Sequence, residues 1–201
     1  MKVEGHRAVF LDRDGTVCEE VGYLSSVEQL RLIPRAGKAI RKLNQLGYRI
    51  VIITNQSGVA RGLFSESRLQ EIHDELKRQL TEEGARIDGI YYCPHHPTDG
   101  AAPYLTDCQC RKPHPGLLLQ AAADLKIDLK DSYMVGDHFS DVACGQSVGA
   151  TSVLVRTGHG EGVLAQRDQW PESPAFIARD LWEAVEWILS AGKKPLRIVK
   201  K

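Results

Sequence analysis

Two aspartates placed one residue apart follow the first apolar segment of the chain. The segment Ala8–Leu11 is rich in β-favouring residues, and Asp12-Arg13-Asp14-Gly15-Thr16 comes directly after it. Two carboxylates this close repel each other and raise one pKa unless a cation compensates them. A hard divalent metal ion, which prefers oxygen ligands, is the simplest such cation. The pair therefore predicts metal-assisted chemistry, with one carboxylate as a nucleophile and the other transferring protons.

Polar residues follow three further strand candidates. They are Thr54-Asn55-Gln56-Ser57-Gly58 after the second, Arg111-Lys112-Pro113 beyond the third, and Gly136-Asp137 with Asp141 after the fourth. Each group alone could be a turn or a helix cap, and Asp-Gly is a common turn pair. Together, at the carboxyl ends of parallel strands, they predict one pocket. Carboxylates, Mg²⁺ and a lysine in one pocket are typical of phosphoryl transfer, because the cations neutralise phosphoryl oxygens.

Strand and helix patterns alternate along the chain. Strands are predicted at 8–11, 49–53, 89–93, 132–135 and 151–155, and helices at 35–46, 65–83, 115–125, from 140, and 180–191. In the last helix we expect Trp182, Val185 and Ile188 to face inward. The alternation predicts an α/β fold, a Rossmann-like parallel sheet with helices on both faces.

Composition places the chain among ordinary globular proteins. It has 201 residues, enough for one domain over 1–192, and the basic tail 193–201 is predicted to be flexible. Lys+Arg and Asp+Glu balance at 26 each, which argues against nucleic-acid or membrane-surface binding. No apolar run reaches the roughly 20 residues of a membrane span, and the first residues lack the apolar core of a signal peptide. We therefore expect a cytoplasmic protein with reduced thiols, and we predict a monomer.

Four metal-binding side chains lie between the third strand and Arg111. The spacing is Cys93-x-His95, a loop, and then Cys108-x-Cys110. Three thiolates and one imidazole complete a tetrahedral zinc site with no open position, so a structural Zn²⁺ is predicted. Unligated thiols or a redox pair of Cys108 and Cys110 are the alternatives. Spacing does not distinguish His95 from His96, and we choose His95.

The ordered groups at the strand ends resemble the haloacid dehalogenase-like phosphohydrolases. The resemblance implies that Asp12 attacks phosphorus to form an aspartyl-phosphate and that Asp14 protonates the leaving oxygen and then activates water. It implies Mg²⁺ on the carboxylates of Asp12 and Asp137 and on the backbone carbonyl of Asp14. Thr54 and Lys112 would hold the phosphoryl oxygens. In that family Asp141 would support the metal's waters or orient the lysine.

The cysteine loop narrows the resemblance to the D-glycero-D-manno-heptose-1,7-bisphosphate 7-phosphatases. The residues that carry it are Leu11 to Thr16, Gly22-Tyr23, Thr54 to Gly62, Tyr91 to Pro97, Cys108-x-Cys110-Arg111-Lys112-Pro113 and Val135-Gly136-Asp137. The resemblance implies a haloacid dehalogenase-like core without a large cap domain, acting on a small phosphorylated sugar. The implied substrate-binding residues are Glu20, Gly22, Tyr23, Thr54, Asn55, Gln56, Ser57, Arg111 and Lys112. Such an enzyme would supply nucleotide-activated heptose for a bacterial surface polysaccharide, as in lipopolysaccharide biosynthesis.

Three other functions remain open from the sequence. The related histidinol-phosphate phosphatases share the zinc loop and a similar pair of aspartates. A zinc-stabilised module that binds a phosphorylated ligand without turnover would need one of the two aspartates to be missing, and both are present. Phosphoryl transfer to a second sugar would require a pocket that excludes water. The chain differs from the enzymes that it resembles at His138, because those enzymes often have a lysine directly after the motif aspartate.

Overall fold

Six parallel strands form one sheet in the computed structural model, which describes residues 5–170 and 173–191. The strands are β1 (Ala8–Leu11), β2 (Arg49–Asn55), β3 (Gly89–Cys93), β4 (Tyr133–Gly136), β5 (Thr151–Val155) and β6 (Phe176–Ala178). Their order in the sheet is β3-β2-β1-β4-β5-β6, so the chain reverses its direction of travel across the sheet between β3 and β4. Ligands of open α/β sheets bind at such a switch point, beyond the carboxyl ends of the strands. Here that place is the end of β1.

Helices cover both faces of the sheet. They are α1 (Ala36–Gln45), α2 (Glu66–Glu82), α3 (Gly116–Leu125), α4 (Phe139–Ser147), α5 (Gly160–Leu164) and α6 (Leu181–Ala191). Apolar residues of α1, α2 and α6 pack on one face, and those of α3 and α4 on the other. The ends of α2 follow the predicted signals, since the Ser65 side chain accepts a hydrogen bond from the Arg68 amide and Gly84 has φ +74°.

The central strands are buried on both faces. All four residues of β1 are buried, and so are the five residues 50–54 of β2. Parallel sheets covered on both sides need such continuous apolar runs. Each Ile, Leu or Phe buried in this way contributes about 1.5–3 kcal/mol. The loops at the ends of β1 and β2 are therefore anchored on tightly packed strands.

The predicted fold class is confirmed, with three corrections to the elements. β2 continues to Asn55 rather than ending at Ile53, because Thr54 and Asn55 pair with Tyr92 and Cys93 of β3. Two elements were not predicted from the sequence: β6, a three-residue strand at the edge of the sheet, and the short helix α5. In α6, Val185 and Ile188 are buried as predicted, whereas Trp182 is only partly buried.

No large cap domain is present among the described residues, whose longest connections between strands and α-helices are the loops 12–35 and 94–115. In that same part of the chain, no helix is both long enough and apolar enough to cross a bilayer. The predicted flexible tail 193–201 lies outside the described residues.

Candidate active site

A pocket of about 440 Å³ lies beyond the carboxyl ends of β1, β2 and β4. The loops after these strands and the loop before α3 supply most of its walls. Every residue expected to contact substrate lines the pocket, together with both motif aspartates: Asp12, Asp14, Glu20, Gly22, Tyr23, Thr54, Asn55, Gln56, Ser57, Arg111 and Lys112. Residues from widely separated segments are thus gathered where the strand order reverses.

Lys112 is the buried cation of this site. Its ammonium group lies 2.8 Å from Asp12 Oδ1 and 2.5 Å from Asp141 Oδ1, and it donates to the Ile53 carbonyl at 2.8 Å. The Asn55 side chain fixes the backbone of Lys112, accepting from its amide at 3.0 Å and donating to its carbonyl at 3.1 Å. Burial lowers the pKa of Lys112, but the two carboxylates outweigh that effect and raise it. The lysine is therefore charged at neutral pH.

Three carboxylates crowd around this one lysine. Oxygens of Asp12, Asp137 and Asp141 lie within 4.8 Å of one another. Burial raises the pKa of Asp12 to about 7 and that of Asp137 to about 8, and the neighbouring carboxylates add to both shifts. One ammonium group does not balance three carboxylates. The hard oxygen donors and the uncompensated negative charge fit Mg²⁺.

Two glycines leave room for the Asp137 carboxylate. A Cβ atom on Gly15 would lie 2.1 Å from Asp137 Oδ2, and one on Gly158 would lie 2.2 Å from the same oxygen. Both glycines have positive φ, +73° and +57°. The same oxygen accepts a hydrogen bond from the His159 amide at 2.7 Å. The backbone at Gly15, Gly158 and His159 thus holds the Asp137 carboxylate near the end of β1. These residues are far apart in the sequence, so the sequence does not predict this contact.

Asp14 faces a different partner from Asp12. Both of its oxygens accept hydrogen bonds from the Arg13 guanidinium, at 2.9–3.2 Å, and Oδ2 accepts another from Gln56 Nε2 at 2.8 Å. Its side chain is 20% exposed, whereas Arg13 is 1% exposed. The carboxylate of Asp14 lies outside the three-carboxylate group and lines the same pocket. The structural role of Arg13 was missed by the sequence analysis.

The end of β2 and the loop after it provide polar groups to the same pocket as the aspartates. Thr54 is almost fully buried, and its hydroxyl accepts a hydrogen bond from Gln56 Nε2 at 2.8 Å. Ser57 also lines the pocket. Hydroxyl and amide groups in such a pocket suit the oxygens of a phosphoryl group.

The loop after β1 forms another wall. Gly22 has φ +82°, and its amide donates to Glu20 Oε1. Tyr23 is 42% exposed at the pocket mouth, where the Arg61 guanidinium lies 5.8 Å from its ring centroid. Glu20, Gly22 and Tyr23 line the same pocket as Asp12 and Asp14.

Arg111, His138 and His159 add nitrogen donors to the pocket wall. Arg111 Nη1 donates to the His95 carbonyl at 3.1 Å, and the two imidazole centroids are 6.4 Å apart. His159 and Phe64 also line the pocket and were not predicted as site residues from the sequence. His159 lies in the loop after β5 and Phe64 in the loop between β2 and α2, and the tertiary structure brings both to the pocket.

Cys93, His95, Cys108 and Cys110 form a separate cluster next to Arg111. The sulfur atoms of Cys93, Cys108 and Cys110 are 3.0–3.4 Å apart, and His95 Nδ1 lies 3.8 Å from the first sulfur and 3.5 Å from the third. All five cysteines are free thiols. His96 instead accepts from the backbone amides of Thr98 and Asp99. The structure thus groups His95 with the three sulfurs, a donor set that fits tetrahedral Zn²⁺.

Known proteins are similar to this chain in sequence and fold. Residues 109–184 match the Hydrolase_like (HAD-hydrolase-like) family model. The chain is 47% identical over 156 residues to the D-glycero-beta-D-manno-heptose-1,7-bisphosphate 7-phosphatase of Haemophilus ducreyi, covering 77% of this chain and 85% of that one. Its Escherichia coli K12 counterpart is 44% identical over 153 residues, covering 75% and 80%.

A solved structure shows the same architecture. It is the D,D-heptose 1,7-bisphosphate phosphatase of B. bronchiseptica complexed with magnesium and phosphate. The TM-score is 0.82 at 36% identity, covering 92% of this chain and 99% of that chain.

Proposed function

Because the chain belongs to the D-glycero-β-D-manno-heptose-1,7-bisphosphate 7-phosphatase family of haloacid dehalogenase-like hydrolases, we propose that it removes the 7-phosphate from this sugar by Mg²⁺-dependent hydrolysis. The observation that carries the proposal is the arrangement of Asp12, Asp14, Lys112 and Asp137 around one pocket. A nucleophile, a proton-transfer group and cationic stabilisation are what phosphoryl transfer requires.

In the first step, Asp12 attacks the phosphorus of the 7-phosphate. The bond between phosphorus and the C7 oxygen breaks, and Asp14 gives its proton to that oxygen as the sugar leaves. Lys112, 2.8 Å from the nucleophile, stabilises the negative charge of the transferring phosphoryl group, and the Thr54 hydroxyl contributes a further hydrogen bond. The products are an aspartyl-phosphate at Asp12 and the sugar 1-phosphate.

In the second step, Asp14 takes a proton from water as the water attacks the aspartyl-phosphate. Asp12 is released unchanged, and inorganic phosphate leaves. Arg13 and Gln56 hold Asp14 at the edge of the pocket through both steps. The same residue therefore serves as acid and then as base.

We assign Mg²⁺ to the carboxylates of Asp12 and Asp137 and to the backbone carbonyl of Asp14, with Asp141 in support. A bound Mg²⁺ neutralises charge on the phosphoryl oxygens and on the carboxylates. In support of this proposal, the described residues place three carboxylates around one lysine, so negative charge exceeds positive charge there.

We assign a structural Zn²⁺ to Cys93, His95, Cys108 and Cys110. Zinc there would fix the loop that immediately precedes Arg111 and Lys112, and so would hold both residues at the pocket. Reduced thiols at this site agree with the cytoplasmic location expected from the sequence. The monomeric state stays a prediction.

The distal part of the pocket suits the remainder of a sugar bisphosphate. Arg111 offers a guanidinium group, the side chain best suited to binding a phosphate through two hydrogen bonds. We propose that it binds the 1-phosphate, with Glu20, Gly22 and Tyr23 on the substrate side of the first loop. The relatives from H. ducreyi and E. coli are named for the β anomer, and we propose the same preference here.

The test is phosphate release, measured as kcat/KM with Mg²⁺. The panel contains both anomers of heptose 1,7-bisphosphate, fructose 1,6-bisphosphate, histidinol phosphate and p-nitrophenyl phosphate. A preference of at least about tenfold for the β anomer, equivalent to about 1.4 kcal/mol of transition-state stabilisation, is expected. Preference for histidinol phosphate would support the hydrolytic mechanism but refute heptose bisphosphate as the substrate. No phosphate release from any compound would refute the proposal that the protein is an enzyme.

A further inference from the structure

Arg13 is a buried cation whose guanidinium is shared among three neighbours. Its Nε and Nη2 atoms donate to the carboxylate of Asp14 at 2.9–3.2 Å, and Nη2 also donates to Gln56 Oε1 at 2.9 Å. The side chain is 1% exposed. A guanidinium group has five donors and no acceptor, so in a buried position each donor needs a partner from the protein.

His73 of α2 provides the partner on the far side of the guanidinium. Its Nε2 atom lies 3.2 Å from Arg13 Nη1. Since arginine only donates, Nε2 must be the acceptor, and the proton of the neutral ring is then on Nδ1. Burial, reinforced by the charge of Arg13, lowers the pKa of His73 to about 3. The imidazole is therefore neutral at pH 7 and keeps its acceptor.

The position of His73 in α2 is otherwise an apolar one. The other buried residues of the helix are Leu69, Ile72, Leu76 and Leu80, which form its core-facing stripe. Packing alone would be served by another leucine at position 73, whereas an apolar residue would leave Arg13 Nη1 buried without an acceptor. A hydrogen-bond acceptor in this stripe, aimed at Arg13, indicates a role beyond packing.

We propose that His73 is a positioning residue for proton transfer, holding the Arg13 guanidinium so that Arg13 and Gln56 fix the carboxylate of Asp14. The inference rests on the proposed function, in which Asp14 protonates the leaving oxygen. His73 does not touch the substrate. Its loss should therefore weaken the proton transfer while leaving the nucleophile Asp12 and the lysine Lys112 in place.

This role predicts a dependence on the leaving group. A sugar oxygen is a strong base and needs a proton as it leaves, whereas p-nitrophenolate is a weak base and does not. In His73→Leu, kcat/KM for heptose 1,7-bisphosphate should fall about 10-fold or more, because general acid catalysis is typically worth 10²–10⁴-fold and is only partly lost. For p-nitrophenyl phosphate the fall should stay within about threefold. His73→Gln, whose amide oxygen can accept from Arg13, should recover most of the loss.

The matched control is Ile72→Val, a buried neighbour on α2 that belongs to the apolar stripe. This variant should change kcat/KM for the two substrates by the same small factor. Equal losses for both substrates in His73→Leu, or no loss for either, would overturn the proposal, because a general packing defect does not distinguish leaving groups.

An NMR measurement keeps the proposal testable if His73→Leu fails to fold or if the wild type releases no phosphate. The full chain with ¹⁵N-labelled histidines should show one ring, absent from the His73→Gln spectrum, that stays neutral from pH 8 to pH 5 with Nε2 unprotonated. Protonated Nε2 would overturn the inference. Failure of the wild type to use either substrate would instead refute the proposed function, so the two failures are distinguishable.

Discussion

Replacing Lys112 with methionine removes a buried cation that pairs with both Asp12 and Asp141. Its ammonium group lies 2.8 Å from one carboxylate and 2.5 Å from the other, and the residue is 4% exposed. Removing one partner of a buried ion pair costs about 3–5 kcal/mol, because the remaining charge stays buried without compensation. In magnesium-free protein, Lys112→Met should therefore lower the free energy of unfolding by several kcal/mol.

The effect of Lys112→Met on catalysis has a separate physical origin. Lys112 is a preorganised donor to the transferring phosphoryl group, and loss of one such donor costs about 10²–10³-fold in rate. We therefore expect kcat/KM to fall on the order of 10²-fold or more at saturating Mg²⁺. Phosphate release gives the kinetic effect, and denaturant unfolding in a chelator gives the change in stability.

Lys38→Met is the matched control for Lys112→Met, because Lys38 is an exposed lysine on α1. Its kcat/KM and free energy of unfolding should remain close to those of the wild type. A folded Lys112→Met protein with kcat/KM within about threefold of wild type would show that Lys112 does not stabilise the transferring phosphoryl group. Another residue would then have to hold the phosphoryl oxygens.

Three further predictions concern the metal sites. The pKa values of Asp12 and Asp137 are raised to about 7 and about 8. These groups therefore stabilise the folded state at low pH, and that contribution is lost as pH rises through those values. In a chelator, Tm should accordingly fall from pH 5 to pH 9, and added Mg²⁺ should reduce the fall. Gly15→Ala should weaken Mg²⁺ binding about 10–100-fold by displacing Asp137, whereas Gly22→Ala, with similar φ and open space, should not. Cys108→Ser should lower both the zinc-to-protein ratio and Tm.

Each of these predictions has a contrary outcome. A chelated protein whose Tm rises steadily between pH 5 and pH 9 would show that the carboxylates are not crowded as described. Equal Mg²⁺ affinities for the two glycine variants, measured by activity against Mg²⁺ concentration, would exclude the steric argument. An unchanged zinc-to-protein ratio in Cys108→Ser, measured by elemental analysis, would end the zinc assignment at that cysteine.

The fold class was predictable because its signals are local. Continuous apolar runs with β-favouring residues mark β1 and β2, and a serine cap and a glycine mark the ends of α2. The edge strand β6 was missed because Phe176 is only partly buried and Ile177 is exposed, so no buried run marks it. Its pairing with β5 comes from tertiary structure.

The convergence of the strand-end residues on one pocket was predictable because parallel strands end at one edge of a sheet. The contacts that support those residues were not predictable from the sequence. The approach of Gly158 to Asp137 and the contact between His73 and Arg13 join residues distant in sequence. A charged residue in a turn-like motif is expected to be exposed to solvent, whereas Arg13 is buried in the structure. Sequence patterns indicate which residue types converge, whereas packing decides which of them touch.

The nucleophilic role of Asp12 and the site of hydrolysis are both tested by ³¹P NMR of β-heptose 1,7-bisphosphate incubated with Mg²⁺ and either wild-type protein or Asp12→Asn. Wild-type protein should convert the C7 ester signal into inorganic phosphate while the C1 signal persists, and folded Asp12→Asn should convert neither. Loss of the C1 phosphate, or release by Asp12→Asn at the wild-type rate, would contradict these assignments.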